Sequence, residues 1–182
     1  MEKGLLHLYW GEGKGKTTAA AGLAVRALGC GRRVTFVQFL KDGSSHELDP
    51  LRRLGAAVFS EMEDSKFVFQ MTPEEKAAAR IRQTELLRRA LASPCDLLVL
   101  DEACAAWTLD TVDRDLLRQA VLERPAGCEA VLTGRDPAPW MRRAADYSTE
   151  MRCHRHPFEQ GVPAREGIEY CPSLFRPFIP PN

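Results

Sequence analysis

Short apolar runs alternate along the chain with longer segments in which apolar residues recur at helical spacing. The apolar runs predict strands over residues 5–10, 33–40, 56–59, 96–101, 129–133 and 146–151. The intervening pattern predicts helices over residues 16–28, 113–123 and 137–144, and a short helix through Leu48, Leu51 and Leu54. Strands that alternate with helices are typical of a mostly parallel sheet flanked by helices, so the pattern predicts an α/β fold.

The strongest helix signal follows residue 72. Thr72 is a suitable N-cap, Pro73 occupies the first helical position, and two acidic residues lie in the first turn. Ser93 and Pro94 end this helix. The residues that recur at helical spacing predict its packed face, and they are Ala77, Ile81, Thr84, Leu87 and Leu91.

Length and composition indicate one globular domain. The chain has 182 residues, 45% of them hydrophobic and 27% charged, and an ordinary domain has about 150 residues. Disorder as the main state is excluded, because it requires low hydrophobicity and a high net charge. Half of the 12 prolines follow residue 156, so we expect a single domain over residues 1–182 with an irregular tail from about residue 157.

Charge and hydropathy limit the partners of the protein. Its 25 basic and 25 acidic residues balance, so no overall field attracts nucleic acid or an anionic membrane. No apolar run approaches the roughly 20 residues of a membrane helix, and the apolar start of the chain is too short for a signal peptide. We therefore expect a cytoplasmic protein that contacts neither membrane nor nucleic acid.

The six cysteines form no C-x-x-C pair, which argues against a structural zinc site. In a cytoplasmic protein we expect them to be reduced thiols. Cys153, His154 and His156 do cluster as C-H-x-H, and a metal bound there would need a fourth ligand from elsewhere in the chain.

Residues 11–18, GEGKGKTT, lie between a predicted strand and a predicted helix, and we name them the phosphate loop. Glycines let successive N–H groups face an anion, and the helix N-terminus adds partial positive charge. Lys16 would reach phosphate oxygens, and the Thr17 hydroxyl would bind Mg²⁺. The loop is a compact variant, because the usual spacing has a glycine where this chain has Trp10; a glycine-rich turn without a ligand is the alternative. The candidate ligand-binding residues are Gly11, Glu12, Gly13, Lys14, Gly15, Lys16, Thr17 and Thr18.

Asp101 and Glu102 follow the apolar run LLVL. An acidic residue at the carboxyl end of a strand beside such a loop usually holds Mg²⁺, directly or through water. The candidate metal ligands are therefore Thr17, Asp101 and Glu102; which carboxylate contacts the ion stays open, and a solvated strand end is the alternative.

These motifs predict nucleotide binding but not a reaction. Glu102 could polarise water in an ATPase, whereas a kinase would need a general base and an acceptor site.

Seven segments match the motifs of one family in chain order: GEGKGKTTAAAGLAVRALG (11–29), VQFLK (37–41), KFVF (66–69), VLDE (99–102), TGR (133–135), ADYSTEM (145–151) and HPFEQGVPAREGIEY (156–170). They resemble the P-loop ATP:corrinoid adenosyltransferases, also called cob(I)yrinic acid a,c-diamide adenosyltransferases. The resemblance covers nearly the whole chain. It implies a single-domain P-loop NTPase-like (RecA-like) fold.

The resemblance implies that the phosphate loop stabilises a leaving group. In this family the Co(I) of a reduced corrinoid attacks the ribose 5′ carbon of ATP, releasing triphosphate and forming a cobalt–carbon bond in adenosylcobalamin biosynthesis or salvage. Lys16 and Mg²⁺ would stabilise the triphosphate, and the corrinoid supplies the nucleophile. A flavoprotein reductase and a homodimer are also implied. The alternatives are a P-loop ATPase or small-molecule kinase, and a non-catalytic protein that binds corrinoid or nucleotide.

The resemblance also gives roles to residues outside the loop. Phe67 and Phe69 match aromatic positions that displace the lower ligand of the corrinoid, with ordinary core packing as the alternative. Gln38, Lys41 and Arg135 lie at predicted strand ends, where α/β sheets bind ligands, and Arg135 could instead form a surface salt bridge. Residues 61–64 resemble an exposed loop that closes over a ligand. Four further residues match family positions: His154, Arg155, His156 and Glu169.

Overall fold

A computed structural model describes residues 4–61 and 68–169 of the chain. Three predicted features lie outside the described residues: Phe67, residues 62–64 of the loop that was expected to close over a ligand, and the end of the proline-rich tail. Phe69 belongs to a short 3₁₀ helix, Val68–Gln70. No helix in the described ranges is long and apolar enough to cross a membrane.

The described chain contains one sheet of six strands, and every neighbouring pair is parallel. The strands are β1 (Leu6–Trp10), β2 (Val34–Gln38), β3 (Ala57–Phe59), β4 (Leu97–Asp101), β5 (Glu129–Gly134) and β6 (Tyr147–Glu150). Their order across the sheet is β3-β2-β4-β5-β1-β6, so β5 separates the strand that enters the phosphate loop from the strand that ends at Asp101. The predicted parallel α/β fold is confirmed, and it is consistent with a P-loop NTPase-like fold.

Helices cover both faces of the sheet. In the described ranges they are α1 (Lys16–Gly29), α2 (Leu48–Arg53), α3 (Pro73–Leu91), α4 (Ala103–Thr108), α5 (Arg114–Leu122) and α6 (Pro139–Ala144). Phe36 and Val99 pack in an apolar cluster with α1 and α2, whereas Leu98 and Leu100 belong to a second cluster with α3 to α6. Both faces of each central strand are therefore buried, which is why the strands are continuous apolar runs in the sequence.

The predicted elements agree with the structure to within about two residues at their ends. The predicted cap of α3 is confirmed, because the Thr72 hydroxyl accepts a hydrogen bond from the Glu75 N–H at 3.3 Å. The sequence analysis missed α4, whose six residues are too few to show a helical period. Between residues 151 and 169 the described chain contains a 3₁₀ helix, Pro157–Gln160.

The packed face of α3 agrees with the prediction at Thr84 and Leu87 and differs from it in the first half of the helix. Ala77 is exposed and Ile81 is 72% exposed. Gln83, a polar residue, is buried on the packed face: its Oε1 accepts a hydrogen bond from the Leu40 N–H at 3.2 Å, and its Nε2 donates to the Glu61 carbonyl at 2.8 Å. These hydrogen bonds allow the amide to be buried where the pattern of apolar residues did not predict a packed position. The buried residues are Ala79, Gln83, Thr84, Leu86, Leu87 and Ala90.

Gly134, at the end of β5, has no room for a side chain. Its φ is +149°, and a Cβ there would lie 2.3 Å from the Cβ of Cys104 in α4. We expect Gly134→Ala to lower the free energy of unfolding by about 3 kcal/mol, measured by urea denaturation. Gly22→Ala in α1 is the matched control: it meets nothing within 4 Å and should stabilise the protein by about 0.5–1 kcal/mol. A similar loss in both variants would contradict the steric explanation.

Candidate nucleotide-binding site

The phosphate loop joins β1 to α1 at the carboxyl edge of the sheet. Gly15 precedes α1 with a φ of 118°, a left-handed conformation that favours glycine. No described backbone carbonyl or side chain accepts a hydrogen bond from the N–H groups of residues 14–18. Thr17 is half-buried at the start of α1, and Thr18 is exposed. Unpaired N–H groups at the positive end of a helix form an anion-binding site.

The segments that follow β5 and β6 lie directly against the loop. The Gly11 N–H donates to the Arg135 carbonyl at 3.2 Å, and the Gly13 N–H donates to the Met151 carbonyl at 2.6 Å. A Cβ at Gly11 or Gly13 would lie 2.6 or 2.7 Å from the Met151 oxygen. These two glycines therefore allow a close backbone approach, in addition to any role in binding an anion.

Lys16 spans the inside of the loop. Its Nζ donates to the carbonyl oxygens of Gly11 and Gly13, both at 2.7 Å. Burial lowers the pKa of Lys16, whereas Glu102 is the strongest of the nearby charges that raise it. A cation held only by two neutral carbonyls can exchange them for a phosphate oxygen, which gives a stronger, charge-assisted hydrogen bond.

Two other charged side chains of the loop have partners outside it. Lys14 Nζ donates to the Ile168 carbonyl at 2.5 Å. Glu12 forms an ion pair with Arg135, with 3.0 Å between Oε2 and Nη1. The Arg135 side chain is 72% exposed, so the surface salt bridge considered for it is present, and its contact with a ligand stays a prediction.

Asp101 is completely buried at the end of β4 and accepts three hydrogen bonds. Its Oδ1 accepts from the Thr133 hydroxyl at 2.7 Å. Its Oδ2 accepts from Gln38 Nε2 at 3.1 Å and from Lys41 Nζ at 3.2 Å. These partners come from the ends of β2 and β5, because the carboxyl ends of parallel strands meet at one edge. The structure thus brings the predicted residues Gln38, Lys41 and Asp101 together.

Lys41 and Gln38 are held by further carboxylates. Burial would lower the pKa of Lys41, but the charges of Asp101, Glu102 and Glu47 outweigh it and raise that pKa. Gln38 Nε2 also donates to Glu47 Oε1 at 3.2 Å. Gln38 Oε1 is buried and has no partner among the described residues. A buried amide oxygen without a donor is rare, so this atom marks a point where a ligand or a water molecule completes the site.

Glu102 has a left-handed backbone, with a φ of 59°, and its N–H donates to the Thr133 hydroxyl at 2.9 Å. The same hydroxyl donates to Asp101, so Thr133 links the two acidic residues. Burial is the main cause of a raised pKa at Glu102, and the charge of Asp101 adds to it. In the part of the chain that the structure describes, no donor hydrogen-bonds the Glu102 carboxylate, which leaves it available to a cation.

Replacing Glu102 with glutamine should stabilise the protein in the absence of ligand. The pKa of Glu102 is higher in the folded than in the unfolded state, so its negative charge opposes folding above that pKa. We expect Glu102→Gln to raise the Tm at neutral pH, and this gain should vanish below about pH 4, where both states are protonated. Thermal unfolding across this pH range tests it, with the exposed Glu85→Gln as the control. A lower Tm at neutral pH would contradict the expectation.

Other candidate residues lie apart from this group. Cys153, His154 and His156 are exposed, and no group of three metal-ligating side chains occurs in residues 4–61 and 68–169. Glu169 pairs with Arg165 at 2.9 Å, and these hydrogen bonds lower the pKa of Glu169 to about 2. The described cysteines are free thiols: Cys30, Cys95, Cys104, Cys128 and Cys153.

Three residues of the site were not identified from the sequence as site residues. Thr133 is a polar residue at the carboxyl end of an apolar strand, and this position was a usable signal. Met151 lies just after β6 and ends the matching segment ADYSTEM, which was a usable signal. Glu47 lies outside the strands, and its sequence position carries no comparable signal.

Unpaired loop N–H groups beside the buried Asp101 and the half-buried Glu102 are consistent with the class of P-loop proteins. A family model described as ATP:corrinoid adenosyltransferase BtuR/CobO/CobP matches residues 2–170. The chain belongs to this family of ATP-dependent corrinoid adenosyltransferases.

Individual relatives agree with the family match. The chain is 34% identical over 175 residues to a corrinoid adenosyltransferase of Escherichia coli K12, with 93% of this chain and 87% of the relative covered. It is 33% identical over 172 residues to one of Pseudomonas aeruginosa, with coverage of 93% and 85%. It is also 33% identical over 175 residues to one of Salmonella typhimurium, with coverage of 93% and 87%.

Proposed function

We propose that the phosphate loop holds the triphosphate of ATP as a leaving group, while the Co(I) of a reduced corrinoid attacks the ribose 5′ carbon. The electron pair of Co(I) forms the cobalt–carbon bond, and the pair of the breaking carbon–oxygen bond leaves with triphosphate. The observation that carries the proposal is the position of Lys16 Nζ, which donates to two carbonyls of the phosphate loop. The same loop contains the unpaired N–H groups of residues 14–18. These donors stabilise the charge that develops on the leaving oxygen.

The acidic residues fit a magnesium ion. Asp101 and Glu102 are near enough to influence the charge of Lys16, and two carboxylates beside a triphosphate repel it unless a cation intervenes. Hydroxyl and carboxylate oxygens are the ligands that Mg²⁺ prefers. Thr17 and Glu102 would hold the ion, and Asp101, which already accepts three hydrogen bonds, would reach it through water. When bound, Mg²⁺ would neutralise part of the negative charge of the triphosphate.

Residues at the rim of the loop would orient the two substrates. We assign the unpaired Gln38 Oε1 as the acceptor for a donor group of a bound substrate, with Glu47 and Asp101 fixing its amide. Lys41 pairs with Asp101 and holds its carboxylate in position. Arg135, held beside the loop by Glu12, would contact a phosphate or a corrinoid side chain. Alignment of the cobalt, the carbon and the leaving oxygen is the main task left to the protein.

Phe67 and Phe69 would displace the lower ligand of the corrinoid before reduction. The backbone of Phe69 lies between Val68 and Gln70, and the buried Val68 packs in a cluster that includes Leu40. Leu40 immediately precedes Lys41, so this 3₁₀ helix lies close to the carboxyl edge of β2. That location supports a role for the segment beside the bound corrinoid.

We also propose that a flavoprotein reductase supplies the electron that forms Co(I), and that the enzyme acts as a cytoplasmic homodimer in which residues 1–182 form one domain. The reductase and the homodimer rest on the resemblance to the family, whereas the location and the single domain rest on the hydropathy and length of the chain. Light scattering of the purified protein tests the oligomer, and reduction of bound Co(II) corrinoid by a reduced flavoprotein tests the electron source.

The transfer itself is tested by incubating the protein with ATP, Mg²⁺ and chemically reduced cobalamin and following the absorbance change on alkylation. We expect a cobalt–carbon product that forms only with ATP. Binding of both substrates without this product would favour a non-catalytic carrier instead.

Phe69→Ala should slow the reaction that starts from Co(II) with a reductase more than the reaction that starts from preformed Co(I). Loss of an aromatic side chain weakens ligand displacement, and displacement is needed only before reduction. We expect roughly a tenfold difference between the two losses, or about 1.4 kcal/mol. Phe158→Ala, at a site 78% exposed, is the control and should leave both rates unchanged. Equal losses from both starting states would remove the displacement role.

A further inference from the structure

Two thiols face each other at the edge of the sheet opposite the nucleotide site. Cys95 lies two residues before the first residue of β4. Cys128 lies immediately before the first residue of β5, the strand that pairs with β4. Their Sγ atoms are 3.8 Å apart, although the residues are 33 positions apart in the chain. Both strands run from this edge to the Asp101 edge, so about five residues of strand, or roughly 17 Å, separate the thiols from the site.

The surroundings hold both backbones in place. Asp96 accepts hydrogen bonds from the Arg33 side chain, with 2.7 Å between Oδ1 and Nη2. Arg124 Nε donates to the Cys128 carbonyl at 2.8 Å, and its Nη2 donates to the Gly4 carbonyl at 2.8 Å. A disulfide requires a distance of about 2.05 Å between the sulfur atoms. The two sulfur atoms must therefore move closer together before a disulfide can form.

The two thiols are chemically unequal. The hydrogen bond from Cys128 is the main cause that lowers the pKa of Cys95 to about 7; burial opposes it, and Thr35 contributes a second hydrogen bond. The same contact, together with burial, raises the pKa of Cys128. Cys95 is also half-exposed, whereas Cys128 is buried. A partly exposed thiolate next to a buried thiol is the arrangement of a reactive cysteine with a resolving partner.

We propose that Cys95 and Cys128 are a redox-sensitive pair that closes to an intramolecular disulfide when the protein meets a peroxide or a small disulfide such as oxidised glutathione. With hydrogen peroxide, the Cys95 thiolate displaces hydroxide to form a sulfenic acid, and Cys128 then attacks that sulfur and releases water. With oxidised glutathione, two exchange steps form the protein disulfide and release two reduced glutathione molecules. The disulfide joins the starts of β4 and β5 and leaves the carboxyl edge unchanged.

Peptide mapping of the full-length protein tests the linkage. After oxidation by hydrogen peroxide or oxidised glutathione under native conditions, and blocking of free thiols, cleavage by trypsin and Asp-N separates Cys95 from Cys104. We expect a disulfide-linked pair of peptides, residues 90–95 and residues 119–135. Its mass should be two hydrogens below the sum of the two reduced peptides, and dithiothreitol should separate them. Modification of Cys30 and Cys153 alone, or a Cys95 that is oxidised further or capped by glutathione without joining Cys128, would overturn the proposal.

Thermal unfolding provides a second readout that does not depend on enzymatic activity. Oxidation should raise the Tm of the wild-type protein by several degrees, because a cross-link restricts the unfolded chain, and dithiothreitol should reverse the shift. Cys95→Ser should remove the shift, and Cys30→Ser, which changes an exposed thiol, should keep it. If Cys128→Ser does not fold, Cys95→Ser still decides the result. An equal shift in Cys95→Ser would contradict the pair.

Discussion

Lys16→Ala is expected to lower kcat/KM for adenosyl transfer by about 10³-fold. The Lys16 ammonium is the charged group inside the phosphate loop, and removal of one donor from a preorganised anion site commonly costs 10²–10³-fold. Its two present partners are neutral carbonyls, so the folded structure should lose little stability. The measurement is the initial rate of cobalt–carbon bond formation at saturating corrinoid and varied ATP.

Lys14→Ala is the matched control for this variant. It changes the same residue type two positions away, but the Lys14 ammonium contacts the Ile168 carbonyl rather than the inside of the loop. We expect it to lose less than about tenfold in kcat/KM. Comparable losses in the two variants would mean that general positive charge matters and that the position of Lys16 does not.

Asp101→Asn is expected to impair both activity and stability. The carboxylate is completely buried and accepts three hydrogen bonds, one of them from the Lys41 ammonium. An asparagine side chain would place an NH₂ group against one of the three donors, and it would remove the negative charge that pairs with Lys41. We expect a loss of about 3 kcal/mol in the free energy of unfolding and roughly 10²-fold in kcat/KM.

Urea denaturation and steady-state kinetics measure the two effects of Asp101→Asn separately. Asp49→Asn is the control, because Asp49 is 69% exposed and pairs with Arg52 on the surface of α2. Its effect on stability should stay below about 0.5 kcal/mol. Wild-type activity in Asp101→Asn would exclude this carboxylate from the site, even if stability fell.

The parts of the site that could be predicted depend on local sequence or on strand ends. The phosphate loop is continuous with α1, so its eight residues, 11–18, predict an anion-binding site without any information from the rest of the chain. The meeting of Gln38, Lys41 and Asp101 follows from topology, because parallel strands bring their carboxyl ends to one edge. The hydrogen bonds that Gln38 and Lys41 donate to Asp101 could not be predicted, because they require β2 and β4 to be neighbours and the sequence does not give the strand order.

The remaining features depend on contacts that no periodicity encodes. The Met151 carbonyl reaches Gly13 from a segment that follows the edge strand, more than a hundred residues later in the chain. On α3, the buried Gln83 bonds to backbone groups of Leu40 and Glu61, whereas the apolar Ile81 is exposed. In both places the contact depends on a hydrogen-bond partner that is distant in the sequence.

The identity of the phosphate product tests most directly which bond of ATP is broken. The purified protein is supplied with ATP, Mg²⁺ and chemically reduced corrinoid, and the products are followed by phosphorus NMR and by chromatography of the corrinoid. The proposed mechanism predicts inorganic triphosphate in equal amount to adenosylated corrinoid, with both lost in Lys16→Ala. Formation of ADP and phosphate without a cobalt–carbon bond would contradict it.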